Sequence, residues 1–470
     1  MALRTADEFR ASLTDDRVLW YQGRRIPNVL EEPDLRVAVD HSALDFEVGH
    51  DPAHHDLAVE VDPITGEEFS AYYRIPRSVD DLLARMRLIE LTTALGGTLL
   101  SLKDVGTDAM FALQTVLRGE ERERLTAFFD RCRTEDLAVS VAQTDVKGDR
   151  SKAPHEQADP DLYVHIVDES DAGIVVRGAK THTSLTPNCN EILVLPTRAM
   201  KADDSDWAVG FAVTPDTPGV SMYVSPYHAG EKHAWEYPLS SKHKMLETLT
   251  VFDDVFVPWE RVFCFRQPEL AGPIALAFVE YHRFTAVSYK LPLLDALVGT
   301  AAEIARMNGV LSAGHIKDKL TQLVIYSETV RTLCETAARR ATTDADGFCR
   351  PDSATTNIAK YTFATGFHDA IRMVQDCAGG LLVTGPGGHD WENPEIRAVL
   401  EKYYAAAAPA AERLAMMNLI SDLTVRDYGG YHAVLAVHAE GSIEAEKMQI
   451  FRAYDGRRSI SLARRLAGLE

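Results

Sequence analysis

The sequence is poor in basic residues and has no long apolar run, and these two shortages exclude several classes of protein. It has 49 lysines and arginines against 70 acidic residues, a net charge of −21. A surface of that sign repels phosphate backbones, so we expect no nucleic-acid partner. No stretch reaches the roughly 18 apolar residues of a membrane span, and the first residues lack a signal-peptide pattern. We therefore expect a cytoplasmic protein with no membrane partner.

Cysteine is also scarce. The six cysteines are scattered and form no C-x-x-C pair, which favours reduced thiols over a disulfide framework. Cys189 follows a polar segment and could face a ligand, but an isolated cysteine is more often a small buried hydrophobe. The motifs H-E-x-x-H and G-x-S-x-G are missing as well, so neither a zinc hydrolase nor a serine hydrolase is supported.

Hydrophobic periodicity divides the chain into three regions. Residues 1–140 are mainly helical in pattern, and one helix is expected to begin after Ser78, a suitable N-cap. Between 141 and 262 the period changes to two, with short runs rich in Val, Ile, Phe and Tyr separated by Asp, Gly and Pro turns. Residues 263–470 return to long amphipathic helices, which indicates a bundle. With 470 residues, two or three domains are expected.

A polar loop precedes the predicted strands. The segment QTDVKGDR, from Gln143 to Arg150, combines amide, hydroxyl, carboxylate and cationic side chains with a glycine that allows close backbone approach. Such a loop suits a ligand that has a polar ring edge and a phosphate. The residue types alone also fit a solvated surface loop.

Longer segments decide between these two interpretations. TDVKGDRS, DPDLYVHIVDE, GIVVRGAKTHTS and NCNEILVLPTRAM closely resemble the flavin-binding middle of the 4-hydroxyphenylacetate 3-hydroxylase / 4-hydroxybutyryl-CoA dehydratase superfamily. VFDDVFVPWERVF, CAGGLLVT and HAEGSIEAEKMQIFR extend the resemblance over almost the entire chain. It implies an α+β, acyl-CoA dehydrogenase-like fold with an N-terminal helical domain, a central β-barrel-like domain and a C-terminal helical bundle.

The resemblance also implies a cofactor, FAD, and residues that hold it. The polar loop and the THTS segment would contact the flavin through Gln143, Thr144, Lys147, Asp149, Arg150, Thr183 and Ser184. The superfamily is usually tetrameric, and a neighbouring subunit would add contacts from His315, Lys317, Gly379 and Gly380. The glycine pair has a second explanation, because glycines commonly end helices.

The two branches of the superfamily differ in residues that this chain has changed. The dehydratase branch holds an iron–sulfur cluster with three cysteines and a histidine, and here Leu100, Asp104 and Tyr289 replace the cysteines while His282 remains. Leucine and tyrosine do not bind the cluster as thiolates do, so we predict no metal. The arginine, tyrosine and histidine by which the hydroxylase branch orients a phenolate correspond to Val105, Ala109 and Val141. The chain is therefore a divergent member.

Several polar residues remain as candidates for catalysis. They are His282, Lys290, Lys103, Asp104 and Glu247, with Asp108 beside them. His282 could act as acid or base and Lys290 could bind an anion or oxyanion. Each has a structural alternative: a histidine on a buried helix is often a core residue, the lysine could pair with an acid, and Glu247 could brace the β-domain.

Loss of the cluster favours oxygen chemistry. The leading hypothesis is a flavin-dependent monooxygenase, the oxygenase component of a two-component system, which uses reduced flavin (FADH2) from a separate flavin reductase to hydroxylate a small-molecule substrate. The alternative is a redox-neutral, FAD-dependent dehydratase or isomerase acting on an acyl-CoA-type substrate. A catalytically silent flavin-binding subunit is a third possibility.

Overall fold

The computed structural model describes residues 3–469, in which helices flank a central group of strands on both sides in sequence. The N-terminal helices are α1 Ala6–Ala11, α2 Pro33–Glu47, α3 His55–Ala58, α4 Val79–Leu95, α5 Lys103–Val116 and α6 Gly119–Thr134. The C-terminal helices are α7 Pro268–Met307, α8 Gly314–Arg339, α9 Ser353–Ala378, α10 Leu381–Thr384, α11 Gly388–Glu392, α12 Pro394–Tyr404, α13 Ala410–Thr424, α14 Asp427–His438, α15 Ile443–Ala453 and α16 Arg457–Leu466.

The strands form two main sheets and two small ribbons. In chain order they are β1 Val18–Tyr21, β2 Arg24–Ile26, β3 Val59–Val61, β4 Glu68–Ser70, β5 Val139–Ala142, β6 His165–Ser170, β7 Gly173–Thr181, β8 Glu191–Val194, β9 Val209–Val213, β10 Val220–Val224, β11 Thr248–Pro258, β12 Val262–Phe265, β13 Thr342–Thr343 and β14 Cys349–Arg350. One sheet has the order β2-β1-β10-β11-β7-β6 and the other β12-β9-β8-β5. Phe211 of β9 meets Phe252 of β11 edge to face, with ring centroids 5.7 Å apart, and so joins the two sheets.

The six-stranded sheet begins in the N-terminal part of the chain. Strand β1 pairs in parallel with β10, with Val18 opposite Ser221, and antiparallel with β2. The helical pattern expected over 1–140 did not include this hairpin, because strands of four and three residues are too short to show a period.

Helix ends follow local sequence signals. Ser78 caps α4 by accepting a hydrogen bond from the Asp81 backbone N–H, which confirms the predicted start. Helix α9 ends at Ala378, and Gly379 follows with φ 85°, a conformation that favours glycine. The glycine pair therefore does stand at a helix end, as its second explanation predicts. The longest helix, α7, packs against α4, α5, α8 and α9.

All six cysteines are buried free thiols. Within residues 3–469, no helix has both the length and the apolar character needed to cross a bilayer.

Candidate active site

A cavity of about 850 Å³ lies where the polar loop, the end of β7, helix α7 and the connection between α14 and α15 meet. Its wall includes eight of the residues singled out in the sequence: Gln143, Thr144, Lys147, Arg150, Ser184, Glu247, His282 and Lys290. The volume lies within the range of small-molecule and cofactor sites. Residues far apart in sequence therefore share one cavity.

The polar loop is held in place by a buried lysine of β7. Lys180 Nζ donates to the backbone carbonyls of Gln143 and Leu195, each at 2.9 Å, and pairs with the Asp145 carboxylate. The Thr181 backbone N–H donates to the Thr144 carbonyl at 2.9 Å. These bonds fix the loop to the sheet, so Gln143 and Thr144 are presented to the cavity by a rigid element.

Three cationic side chains lie together near the end of the polar loop. Lys147, Arg150 and Arg198 line the cavity around Tyr163, whose hydroxyl donates to the Lys147 carbonyl at 3.1 Å. Burial lowers the pKa of Lys147, and the neighbouring Arg150 lowers it further. An anionic group of a ligand would relieve this repulsion, which makes this part of the cavity suitable for a phosphate.

Glu247 is held by two hydroxyl donors in another part of the wall. Ser184 Oγ donates to the Glu247 carboxylate at 3.0 Å, and Tyr431 donates to Oε1 at 2.6 Å. The Tyr431 ring stacks on Tyr227 with centroids 4.9 Å apart. Burial raises the pKa of Glu247, although both hydrogen bonds oppose the change. The carboxyl group is thus fixed in position and its pKa is moved towards neutral pH.

Lys290 and Tyr289 of α7 meet Glu440 from the α14–α15 connection. Lys290 Nζ lies 2.9 Å from Glu440 Oε2 and 3.2 Å from the Tyr289 hydroxyl, which donates to Glu440 Oε1. Burial lowers the pKa of Lys290 to about 8, even though Glu440 opposes the change. Burial would raise the pKa of Glu440, but Lys290 and Lys360 outweigh it and lower this pKa to about 2. The result is a buried ion pair in the cavity wall.

Sequence reasoning missed Glu440. Its side chain is 5% exposed and its backbone has φ 54°, followed by Gly441 at φ 110°. Arg283 Nε donates to the Glu440 carbonyl at 2.9 Å and anchors this turn. The one local signal is the sequence EG between two helices, which marks a turn but does not show that the acidic side chain points inwards.

His282 is positioned by a buried carboxylate. Its Nδ1 lies 3.4 Å from Asp108 Oδ2, while Asp108 Oδ1 accepts hydrogen bonds from Arg85 at 2.7 Å and from Thr285 at 3.0 Å. The imidazole stacks on Phe278 with centroids 5.0 Å apart. These contacts orient the ring, and His282 lines the cavity as a half-buried residue.

Four of the proposed residues near the site do not line the cavity. Thr183 is buried and bonds to Thr248 and Thr250, whereas Asp149 is exposed and caps its own turn through Ser151. Lys103 is buried in an ion pair with Asp136 at 2.7 Å and lies over the Phe46 ring. Asp104 is also buried, and burial together with Asp45 raises its pKa well above the usual range. Thr183, Lys103 and Asp104 support neighbouring structure because their polar groups are directed into the protein, whereas Asp149 is exposed to solvent.

The residues expected to serve a neighbouring subunit lie elsewhere. His315 and Lys317 are exposed at the start of α8, and Gly379 and Gly380 are exposed at the end of α9. Helices α8 and α9 are antiparallel neighbours, and Lys319 pairs with Asp376 at 3.0 Å across these ends. The structure therefore brings the four residues to one end of a helix pair, outside the cavity of their own chain.

Comparison with known proteins identifies the family. The model of the 4-hydroxyphenylacetate 3-hydroxylase N-terminal domain matches residues 5–264, and the model of the C-terminal domain matches residues 271–468. The chain belongs to this family. The resemblance inferred from its motifs is thereby confirmed.

Relatives of this family member carry out two kinds of reaction. The 4-hydroxybutyryl-CoA dehydratase/vinylacetyl-CoA-Δ-isomerase of Clostridium aminobutyricum is 29% identical, with 100% of both chains covered. The 4-hydroxyphenylacetate 3-monooxygenase oxygenase component of Thermus thermophilus is 27% identical over 91% of this chain and 90% of the relative.

A solved structure of a similar protein contains FAD. The crystal structure of the oxygenase component of 4-hydroxyphenylacetate 3-monooxygenase complexed with FAD is 26% identical, covers 98% of each chain and has a TM-score of 0.92. The predicted acyl-CoA dehydrogenase-like fold is confirmed.

Proposed function

We propose that this protein is a flavin-dependent monooxygenase, the oxygenase component of a two-component system that receives reduced FAD from a separate reductase and hydroxylates a small organic substrate. The observation that carries the proposal is a cavity with the donor set for a flavin but without thiolates at the positions of the dehydratase cluster. Monooxygenase relatives covering more than nine-tenths of the chain support it.

The residues present fit a flavin. Gln143 and Thr144 offer hydrogen-bonding groups for a ring edge, and Lys147, Arg150 and Arg198 offer charge for a pyrophosphate. Asp145 also lines the cavity, and in the described chain its buried Oδ2 atom has no hydrogen-bond partner. An acceptor of this kind suits a ring N–H donor, because a buried carboxylate oxygen without a partner is costly.

The residues present do not fit the cluster that the resemblance implies for the dehydratase branch. Leu100 has no ligand atom, and the Tyr289 hydroxyl is engaged by Glu440 and Lys290. Asp104 is buried outside the cavity wall. No step of the proposed reaction therefore passes through an iron–sulfur centre.

Bound reduced flavin supplies the activation of oxygen, while the protein orients the substrate and moves protons. His282, held at Nδ1 by Asp108, exchanges a proton with the substrate through Nε2. Lys290 donates to a carbonyl or oxyanion of the substrate, and Glu247 accepts a proton or a hydrogen bond. Apolar walls formed by Phe278, Leu293 and Phe363 exclude water from the reaction.

The test compares reduced with oxidised FAD, and it measures turnover with and without oxygen. We expect the protein to bind reduced FAD more tightly than oxidised FAD, and a panel of phenols and small carbonyl compounds supplied with FADH2 to yield product that carries ¹⁸O from ¹⁸O2. Lys147→Ala should weaken flavin binding, whereas Lys152→Ala, exposed on the same loop, should leave it unchanged. Equal affinity for both redox states together with no oxygen-dependent product would refute the proposal.

A redox-neutral lyase or isomerase acting on an acyl-CoA thioester is the second candidate. The full-length match to a dehydratase/isomerase and the acid–base groups Glu247, Lys290 and Glu440 favour it. Turnover of a hydroxyacyl-CoA under nitrogen, with oxidised FAD and no reductase, would establish this activity instead of the oxygenase.

A further inference from the structure

Three metal-ligating side chains meet at the surface, outside the cavity wall. They are His233, from the connection between β10 and β11, and His389 and Glu392 of α11. His233 Nε2 lies 3.0 Å from Glu392 Oε1, and His389 Nδ1 lies 3.6 Å from Glu392 Oε2. One ligand atom from each residue falls within 4.8 Å of the other two, and within residues 3–469 no other such group of histidine, cysteine and acidic side chains occurs.

The spacing and the ligand types suit a borderline divalent cation. Zinc binds imidazole nitrogen and carboxylate oxygen at about 2.0–2.2 Å, so tetrahedral ligands stand about 3.3 Å apart. Each imidazole nitrogen faces a different oxygen of Glu392, at 3.0 Å for Oε1 and 3.6 Å for Oε2, so the carboxylate lies at about this spacing from both nitrogens. Two imidazoles and one carboxylate favour zinc, cobalt or nickel over calcium and magnesium, which prefer oxygen.

Neighbouring contacts hold the two sides of this cluster together. The Trp235 and Trp391 rings stack with centroids 5.2 Å apart and an interplanar angle of 5°. The Gly388 backbone N–H donates to Glu236, and a Cβ at Gly388 would lie 2.2 Å from His233 Nδ1. The β10–β11 connection and α11 are therefore held together without an ion. Less conformational entropy is lost when an ion binds between them.

Coordination has one local cost. The Trp235 backbone N–H donates to His233 Nδ1 at 3.3 Å, which in the neutral ring places the proton on Nε2, facing Glu392. A metal at Nε2 moves that proton to Nδ1 and releases the contact with Trp235. The lost bond is long and therefore weak, and two metal–nitrogen bonds and one metal–oxygen bond replace it.

We propose that His233, His389 and Glu392 form a surface site for a borderline divalent cation such as zinc, with at least one position left for water. The ion would join the β10–β11 connection to the C-terminal helices. The same connection carries Met245 and Glu247 into the wall of the cavity, so metal binding would stabilise a segment of the active site. The proposal does not depend on the reaction catalysed.

The test titrates EDTA-treated full-length protein with zinc chloride, using calorimetry and thermal unfolding. We expect one equivalent to bind and to raise Tm. His389→Ala and Glu392→Gln should abolish both effects. The His389 side chain is 91% exposed, so Tm in EDTA should stay unchanged in that variant.

The matched control is His55→Ala, because His55 also stands beside a carboxylate, Glu68, at 3.7 Å. It should keep the zinc response of the unchanged protein. Zinc binding that survives His389→Ala, or a Tm that does not rise at tenfold molar excess of zinc, would overturn the proposal and leave only adventitious binding.

Discussion

Glu440 lies in the cavity wall between two lysines. Its side chain is 2.9 Å from Lys290 and 3.7 Å from Lys360, and Lys360 also pairs with Glu446. Removing one partner of a buried ion pair leaves the other charge uncompensated. Substituting Glu440 therefore tests whether its carboxylate compensates the charges of Lys290 and Lys360 beside the proposed substrate site.

We expect Glu440→Gln to destabilise the protein by about 3 kcal/mol and to shift its pH dependence. Glu440 raises the pKa of Lys290, which is about 8. Without that charge the pKa of Lys290 falls, so the alkaline limb of a pH–activity profile should move to lower pH. The matched control is Glu444→Gln, an exposed glutamate of α15, and an identical profile in both variants would contradict the assigned charge balance.

The same residue affects acid stability. The pKa of Glu440 in the folded protein is about 2, below its ordinary value of 4.5. Its contribution to stability is therefore complete above about pH 4.5 and is lost as the pH falls towards 2. Between about pH 4.5 and pH 2, the free energy of unfolding should therefore depend less on pH in Glu440→Gln than in the unchanged protein.

At the scale of elements, helix α5 packs directly on strand β5 through a glycine. A Cβ at Gly106 would lie 2.2 Å from the Val139 carbonyl oxygen and 2.6 Å from the Val139 Cβ. Helix propensity alone favours alanine over glycine by about 1 kcal/mol. The clash reverses that preference, because strand backbone cannot move aside as a flexible side chain does.

We therefore expect Gly106→Ala to lower the free energy of unfolding by about 2 kcal/mol. Gly430 of α14 provides the control, since a Cβ there meets nothing within 4 Å. Gly430→Ala should be neutral or stabilising by up to about 1 kcal/mol. Denaturant unfolding measures both, and equal effects of the two substitutions would contradict this helix–strand contact.

Elements differ in how far the sequence predicts them. Ser78 and Gly379 act within their own helix ends, so a local pattern was sufficient for both. The β1–β2 hairpin takes its place in the sheet from β10, about 200 residues later, and no local pattern contains that partner. The acyl-CoA dehydrogenase-like fold was predictable because long motifs, rather than periodicity, carried it.

At the scale of the whole molecule, the predicted homotetramer gives a role to one exposed helix end. His315, Lys317, Gly379 and Gly380 lie outside their own cavity at the α8–α9 end. We propose that they reach the flavin of a neighbouring subunit. Because Lys317 lies outside the cavity of its own chain, it can contact a flavin phosphate only if a second subunit is present.

Lys317→Ala should accordingly weaken FAD binding about tenfold, the loss expected for one charge-assisted contact of about 1.4 kcal/mol. Lys402→Ala, exposed on α12, should have no effect. Flavin titrations combined with light scattering measure affinity and mass together. A protein that is monomeric at full FAD affinity, or unaffected by Lys317→Ala, would exclude this arrangement.

The sequence alone determined the family and the kind of fold, and it predicted the cofactor-binding loop and the loss of the cluster ligands. All of these depend on the identity and order of residues within short segments. The tertiary structure decided which of the polar residues share a cavity. Lys290 and Glu440 are 150 residues apart and form an ion pair only because the α14–α15 connection folds back onto α7. Lys103 and Lys290 were equal candidates in the sequence, yet packing pairs Lys103 with Asp136, away from the cavity.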